Sequence, residues 1–133
     1  MISLELARQL RDAGLHWSPE PGDRFVVADR DMDSEVFVVS DMTIEVHDLP
    51  HGRVIGFNGT TEWALDSVVS DEAVWLPRET QLRELLANAF RGLERTADGW
   101  QVRVEVNGMA HASRHPDAEQ AYGLAALRVL YSP

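Results

Sequence analysis

Apolar side chains recur at helical spacing in three segments of the chain. The first covers residues 4–13, with Ser3 as a candidate N-cap and Gly14 as a stop. The second runs from Pro77 to about Arg91, and the third starts at Pro116. Their predicted buried faces are, in order, Leu6, Ala7, Leu10 and Ala13; Leu82, Leu85, Leu86, Ala89 and Phe90; and Ala118, Tyr122, Ala125 and Val129, broadened by Ala121, Leu124, Leu127 and Leu130.

Between the first two helices the pattern predicts a β-meander. The expected strands are 25–27, 35–39, 42–48, 53–57 and 73–76. The run over 35–39 is continuously apolar, which is typical of a strand buried on both faces. Residues 61–68 fit a short helix or an edge strand equally well.

A hairpin is expected between the second and third helices. Asp98-Gly99 is a strong signal for a two-residue turn, which would pair Ala97 with Trp100, Leu93 with Val104 and Glu94 with Arg103. Strands in meanders rather than in alternation with helices favour an antiparallel sheet. The sequence therefore predicts one α+β domain over 1–133, with a largely antiparallel sheet packed by about three helices.

Charge and composition narrow the classes of function. The chain has 133 residues, a net charge of −10 and no cysteine, and all 12 of its basic residues are arginine. This balance disfavours nucleic acid and anionic membranes as partners and favours a basic protein. Charged residues interrupt the N-terminal segment, and no apolar run is long enough to span a membrane, so we expect a cytoplasmic protein.

Alternating carboxylates at Asp29, Asp31 and Asp33 resemble the start of a calcium loop. The pattern then departs, because Ser34 stands where glycine is required and Ser40 where glutamate is required. These carboxylates are candidate cation ligands; the alternative is a solvated acidic loop.

A second candidate site combines two histidines with carboxylates. Glu45 and His47 share a strand face, and Asp48 and His51 follow within a turn that contains Pro50. These residue types suit zinc binding or acid–base catalysis. The alternative is ordinary hydrogen bonding at a strand end.

Two further features have structural explanations, and the tryptophans add a candidate contact surface. His111 and His115 are four residues apart, but the proline after His115 favours a helix cap over a metal pair. The loop over 56–61 bears glycines yet lacks the lysine of a phosphate-binding loop, and it is expected to be a turn. Trp17 and Trp63 flank turns, so they are candidate partner-binding residues beside the core positions of Trp75 and Trp100.

Three segments carry a resemblance: residues 41–48 (DMTIEVHD), 56–67 (GFNGTTEWALDS) and 75–82 (WLPRETQL). They resemble small uncharacterised actinobacterial proteins, some of which carry a transferred pilus-assembly label. The resemblance covers most of the chain and brings no catalytic residues with it. It implies at most an accessory role, because the chain contains no GxxxxGK[ST] motif of a pilus-assembly ATPase.

The leading hypothesis is thus a non-enzymatic, cofactor-free protein-binding or accessory domain with an acidic surface. The alternatives are a metal-dependent or acid–base enzyme built on the Asp and His candidates, and an accessory protein of pilus assembly. The oligomeric state is left open.

Overall fold

A computed structural model describes residues 1–27, 36–39, 44–49, 52–57, 67–69 and 73–132, with backbone pairing alone for 44–49, 52–57 and 67–69. The chain divides into two units. One comprises Met1–His16 with Leu76–Pro133, and the other comprises Trp17–Trp75. The predicted α+β class with antiparallel sheets is confirmed. The prediction of a single domain stays a prediction.

The first unit contains three helices and an antiparallel sheet, and one of the helices packs against the sheet. Its helices are α1 (Leu4–Asp12), α2 (Glu79–Leu86) and α3 (Ala118–Tyr131), and a 3-10 turn (Ala87–Ala89) follows α2. Its sheet has the order β7-β8-β9, formed by Phe90–Arg95, Trp100–Val106 and Met109–His115. Helix α3 contacts α1, α2, β8 and β9, so it is the central element of this unit.

Helix α1 follows its local sequence signals. The Ser3 hydroxyl accepts a hydrogen bond from the Leu6 amide at 3.1 Å, as an N-cap does. Gly14 takes φ +109°, and the Leu15 amide donates to the Leu10 carbonyl at 3.0 Å. The predicted helix is confirmed to within one residue of its end.

The second helix is shorter than predicted. It ends at Leu86, and Ala87 takes φ +49°, a conformation that stops a helix. Phe90, predicted on the buried face of this helix, instead opens β7 and stacks on Tyr122 with ring centroids 5.8 Å apart. Gly92, just past the predicted end of this helix, lies within the strand beside an irregularity in the β7–β8 register. The contact with Tyr122 outweighs the helical periodicity of residues 87–91.

The predicted hairpin forms, but its register differs by two residues. Arg95 pairs with Trp100 and Leu93 with Val102, so the loop has four residues and not two. The Thr96 amide donates to the Gly99 carbonyl at 2.9 Å. A Cβ on Gly99 would lie 2.5 Å from the Cα of Pro116, so this loop closes tightly on the start of α3.

Strand β9 was not predicted. It pairs with β8 from Val106↔Met109 to Trp100↔His115, across a turn at Asn107 and Gly108 that both have positive φ. The prediction that His115 caps the last helix is wrong, because Asp117 is the N-cap and accepts from the Gln120 amide at 3.0 Å. His115 ends β9, and its Nδ1 accepts from the Asp117 amide at 2.9 Å.

Two side chains at the start of α3 hold the starts of the other helices. Gln120 Oε1 accepts from the Ser3 amide at 2.9 Å, and Glu119 Oε2 accepts from the Glu79 amide at 2.8 Å. Glu119 also lies 2.9 Å from the amino group of Met1 and raises the pKa of that group. The first turns of α1 and α2 are thereby tied to the first turn of α3.

The second unit contains two sheets. One has the order β2-β1-β6, from Phe37–Val38, Arg24–Val27 and Ala73–Leu76, and its last strand leads into the first unit. The other has the order β3-β4-β5, from Ile44–Leu49, Gly52–Phe57 and Ser67–Val69, with antiparallel pairing. Of the ambiguous segment 61–68, residues 67 and 68 are in edge strand β5 and residues 61–66 lie outside the described residues.

The strand predicted over 35–39 differs in length and burial. Of the described residues 36–39, Phe37–Val38 is regular strand, and Val36 and Val38 are 40% and 61% exposed, so burial on both faces is wrong. Phe37 packs with a core of Phe25, Val27, Val39 and Ala73. One face of this strand is therefore buried and the other is open.

The close packing of α3 can be tested by a substitution at Gly123. A Cβ at this position would lie 2.6 Å from Leu6 Cδ2 and 3.3 Å from Ile2 Cγ2. We expect Gly123→Val to lower the free energy of unfolding by about 2 kcal/mol, because the added methyl groups overpack this contact. Urea denaturation followed by circular dichroism measures the loss.

The matched control is Leu6→Ala with and without Gly123→Val. Truncation of Leu6 opens space beside residue 123, so the double variant should be more stable than the sum of the single losses predicts. Strict additivity of the two losses would contradict the proposed contact.

Candidate functional site

A groove runs between β9 and the C-terminal half of α3. It has a volume of about 540 Å³. Strand β9 contributes Ala112 and Ser113 to its wall, and α3 with the residue after it contributes Leu124, Leu127, Arg128, Tyr131 and Ser132. The lining is thus mainly apolar, with one guanidinium and three hydroxyl groups.

Helix α3 buries Tyr122 and its small residues, whereas its leucines are half-buried or exposed. Its buried residues are Ala121, Tyr122, Gly123, Ala125 and Ala126. Leu124 and Leu127 are half-buried, and Tyr131 is 67% exposed. Because positions i, i+3 and i+7 share one side of a helix, these three side chains form a stripe along the groove. We call it the Leu124–Tyr131 stripe.

This arrangement corrects the predicted face of the last helix in part. Ala118, Leu124, Leu127 and Val129 were predicted to be buried, and they are half-buried. Leu130, also predicted on that face, is 37% exposed. Alanine and glycine allow α3 to approach its neighbours closely, and this excludes the longer leucine side chains from the same contact.

The other wall of the groove is an edge strand. Strand β9 lies at the end of the sheet order and pairs with β8 alone among the described strands. Ala110, Ala112 and Arg114 are exposed along it. An edge strand presents backbone donors and acceptors that another extended chain can use.

Arg128 is the charged residue of the groove. It is exposed, and its Nη1 lies 3.3 Å from His111 Nδ1. No carboxylate within the described ranges forms an ion pair with it. The local charge of the groove is therefore positive, in contrast to the net charge of −10 on the whole chain.

The outer face of the same sheet is polar and internally paired. Arg91 lies 3.4 Å from Glu105, Arg103 pairs with Glu94, and Arg114 donates to Gln101. A shallow depression of about 340 Å³ lies on this face between Arg91, Glu105 and Ala110. Cross-strand pairs of this kind stabilise a sheet, and they leave little charge for a ligand.

The histidine candidates of the sequence fall on β3 and its turn. Glu45 pairs with Gly56, His47 with Val54 and Asp48 with Arg53 in the β3–β4 ladder. His51 lies outside the described residues, so the acid–base and zinc hypotheses for this group stay predictions.

The remaining candidates are Asp29, Asp31, Asp33 and Trp63, which all lie outside the described residues, as do residues 58–61 of the glycine-bearing loop. The part of the chain that the structure describes contains no group of three or more His, Asp or Glu residues placed to hold a metal ion. The cation site at the three aspartates and the partner-binding role of Trp63 stay predictions.

Trp17 lies in an aromatic cluster of the second unit. Its ring stacks on Trp75 with centroids 6.5 Å apart and tilts against Phe25 at 5.4 Å. Its indole Nε1 donates to Asp23 Oδ2 at 2.9 Å, and Asp23 is only 1% exposed. These contacts give Trp17 a packing role; its predicted role as a partner anchor stays a prediction.

Sequence reasoning missed the groove because both of its walls were misjudged. Asn107-Gly108 is as strong a hairpin signal as Asp98-Gly99 and would have revealed β9. The Leu124–Tyr131 stripe is also visible as an i, i+3, i+7 pattern, but the predicted buried face contains Leu124 and Leu127 and omits Tyr131.

None of the helices within the described ranges has both the length and the apolar character needed to cross a bilayer. The longest of them, α3, has 14 residues, whereas a spanning helix needs about 20.

The Asp23 carboxylate generates a testable prediction. Its Oδ2 accepts from both Trp17 Nε1 and the Glu20 amide, at 2.9 and 3.0 Å. Asp23→Ala should lower the free energy of unfolding by about 2–4 kcal/mol, because two donors lose a buried acceptor. Guanidinium denaturation followed by tryptophan fluorescence measures this loss.

Asp23→Asn is the matched control, because an amide oxygen still accepts both bonds. It should retain more than half of the stability that Asp23→Ala loses. Equal losses in the two variants would show that the negative charge, and not the hydrogen bonds, matters at this position.

The chain was compared with protein-family models, with curated proteins and with solved structures. None of the three comparisons finds a match.

Proposed function

We propose that this protein is a non-enzymatic protein-binding domain whose contact surface is the groove between β9 and α3. One observation carries the proposal. Helix α3 packs into its unit through buried alanines, a glycine and Tyr122. Its side chains Leu124, Leu127 and Tyr131 instead line an open groove. Burial of such a stripe against a partner removes apolar area from water, at about 25 cal/mol per Å².

The surroundings of the stripe support the proposal. Leu130 and Met109 are 37% and 64% exposed, at the helix and strand that form the groove. Exposed apolar side chains gathered on neighbouring elements are typical of protein interaction sites. Tyr131 is also a residue type that is enriched at energetically important contact positions.

The chain-wide charge bears on the partner in a separate way. At long range, a net charge of −10 attracts a basic protein and speeds its encounter. At short range, the groove offers Arg128 and not a carboxylate. We propose a partner that is basic overall and that contacts the groove through a segment of its own.

Site-specific photo-cross-linking tests this function. A benzophenone amino acid replaces Tyr131 in one variant and Arg11, which is exposed on α1, in the control. In cells of the native host, we expect a discrete cross-linked protein from position 131 that position 11 does not give. Mass spectrometry then identifies that protein, and the purified pair is titrated by calorimetry.

Two results would contradict the proposed function. The same set of adducts from both positions would indicate unspecific collisions. A purified candidate that shows no heat of binding to the wild-type protein would mean that the adduct reports proximity and not association.

A further inference from the structure

We infer, on the basis of the protein-binding function proposed above, that the groove takes an extended acidic segment of the partner, which adds to the sheet as a strand beside β9. The segment would place apolar side chains on the Leu124–Tyr131 stripe and a carboxylate on Arg128. Three features of the first unit lead to this inference: the backbone of β9, the spacing of the stripe and the local charge.

The backbone of β9 is suited to strand addition. The pair that closes a two-residue hairpin turn is hydrogen-bonded, and hydrogen-bonded pairs then alternate along an antiparallel ladder. Counting from Val106↔Met109, the alternate positions Ala110, Ala112 and Arg114 direct their backbone N–H and C=O groups away from β8. All three residues are exposed, so a further strand can reach these groups.

The opposite edge of the sheet is less suited. Strand β7 has an irregular register between Phe90 and Gly92, which interrupts its regular hydrogen-bonding positions. Strand β9 is regular over its seven residues, and it is the edge that the groove borders.

The stripe supplies the side-chain contacts. Alternate side chains of an added strand point to the same face, at a spacing of about 6.8 Å. Leu124, Leu127 and Tyr131 lie on one side of α3, spread over about 10 Å of helix axis at 1.5 Å per residue. Two apolar side chains of the added strand therefore fit the length of the stripe.

The charge selects the occupant. Arg128 is exposed in the wall of the groove, so a carboxylate on the added strand would gain an ion pair there. A second copy of this chain would not supply it, because residues 109–115 contain no carboxylate and two arginines at position 114 would be added. Mutual repulsion between chains of charge −10 also opposes self-association.

Display selection on the full chain tests the inference. A library of random twelve-residue peptides is selected on the wild-type protein and, in parallel, on Ala112→Pro. We expect the wild-type selection to enrich peptides in which an aspartate or glutamate and two apolar residues occupy alternate positions, because only alternate side chains of the added strand face α3. The same peptides should be absent from the proline selection, because proline at an outward-facing edge position removes a donor and is tolerated by the fold.

The enriched peptide, labelled with fluorescein, then serves as the probe for titration. Ala112→Pro should weaken its binding by about tenfold or more, whereas Ala112→Val, which keeps the amide donor, should stay within about threefold. Arg128→Glu should weaken binding by about tenfold, and exchange of the peptide's acid for lysine should restore it. Circular dichroism confirms that each variant is folded.

The outcomes separate this inference from the proposed function. Peptides that bind all variants equally, or enriched peptides without an acid, would overturn the inference, even if the cross-link at position 131 stands. Failure to enrich any peptide would overturn it as well. If no peptide is enriched and position 131 also gives no specific cross-linked protein, both the inference and the proposed function are wrong.

Discussion

The close approach of α3 to α1 is the contact on which the first unit depends. Gly123 leaves no room for a side chain between the helices, because Leu6 and Ile2 already occupy that space. At this distance, the first turn of α3 can reach the backbone amides at Ser3 and Glu79 through Gln120 and Glu119. Small side chains thus set a helix distance that the polar contacts then reinforce.

That same packing determines what remains at the surface. A helix that meets its neighbours through alanine and glycine must place its leucines elsewhere, and here they lie beside an edge strand. An apolar stripe and a row of free backbone groups are therefore adjacent for reasons of packing. A partner that binds here can bury apolar side chains on the stripe and form backbone hydrogen bonds with the edge strand at the same time. The stripe alone or the edge alone would allow only one of these.

Local signals in the sequence succeeded where local chemistry decides the structure. The serine cap and glycine stop of α1, and the acidic first turn of α3, were readable because capping involves only neighbouring residues. The end of α2 could not be predicted, because residues 87–91 keep a helical pattern of apolar positions. The contact of Phe90 with the distant Tyr122 is favoured over continuation of the helix.

The candidate site shows the same division. The most conspicuous chemical patterns, the aspartates at 29–33 and the histidines at 47–51, gave predictions that stay predictions. The groove instead combines residues 112–113 with residues 124–132, none of which forms a motif. Its one charged residue, Arg128, lies beside the stripe and β9 only in the folded chain. The periodicity of the sequence does not reveal these neighbours.

The four-residue turn at Thr96–Gly99 has a consequence for how the chain reaches its native state. A two-residue Asp98-Gly99 turn would shift the β7–β8 register by two, which keeps every side chain on its proper face. The shifted hairpin is thus a competitor that burial alone does not reject. In the native loop the Thr96 amide donates to the Gly99 carbonyl, a bond that the two-residue turn does not contain. The register of this hairpin is therefore selected by contacts of the loop and not by which face of each strand is buried.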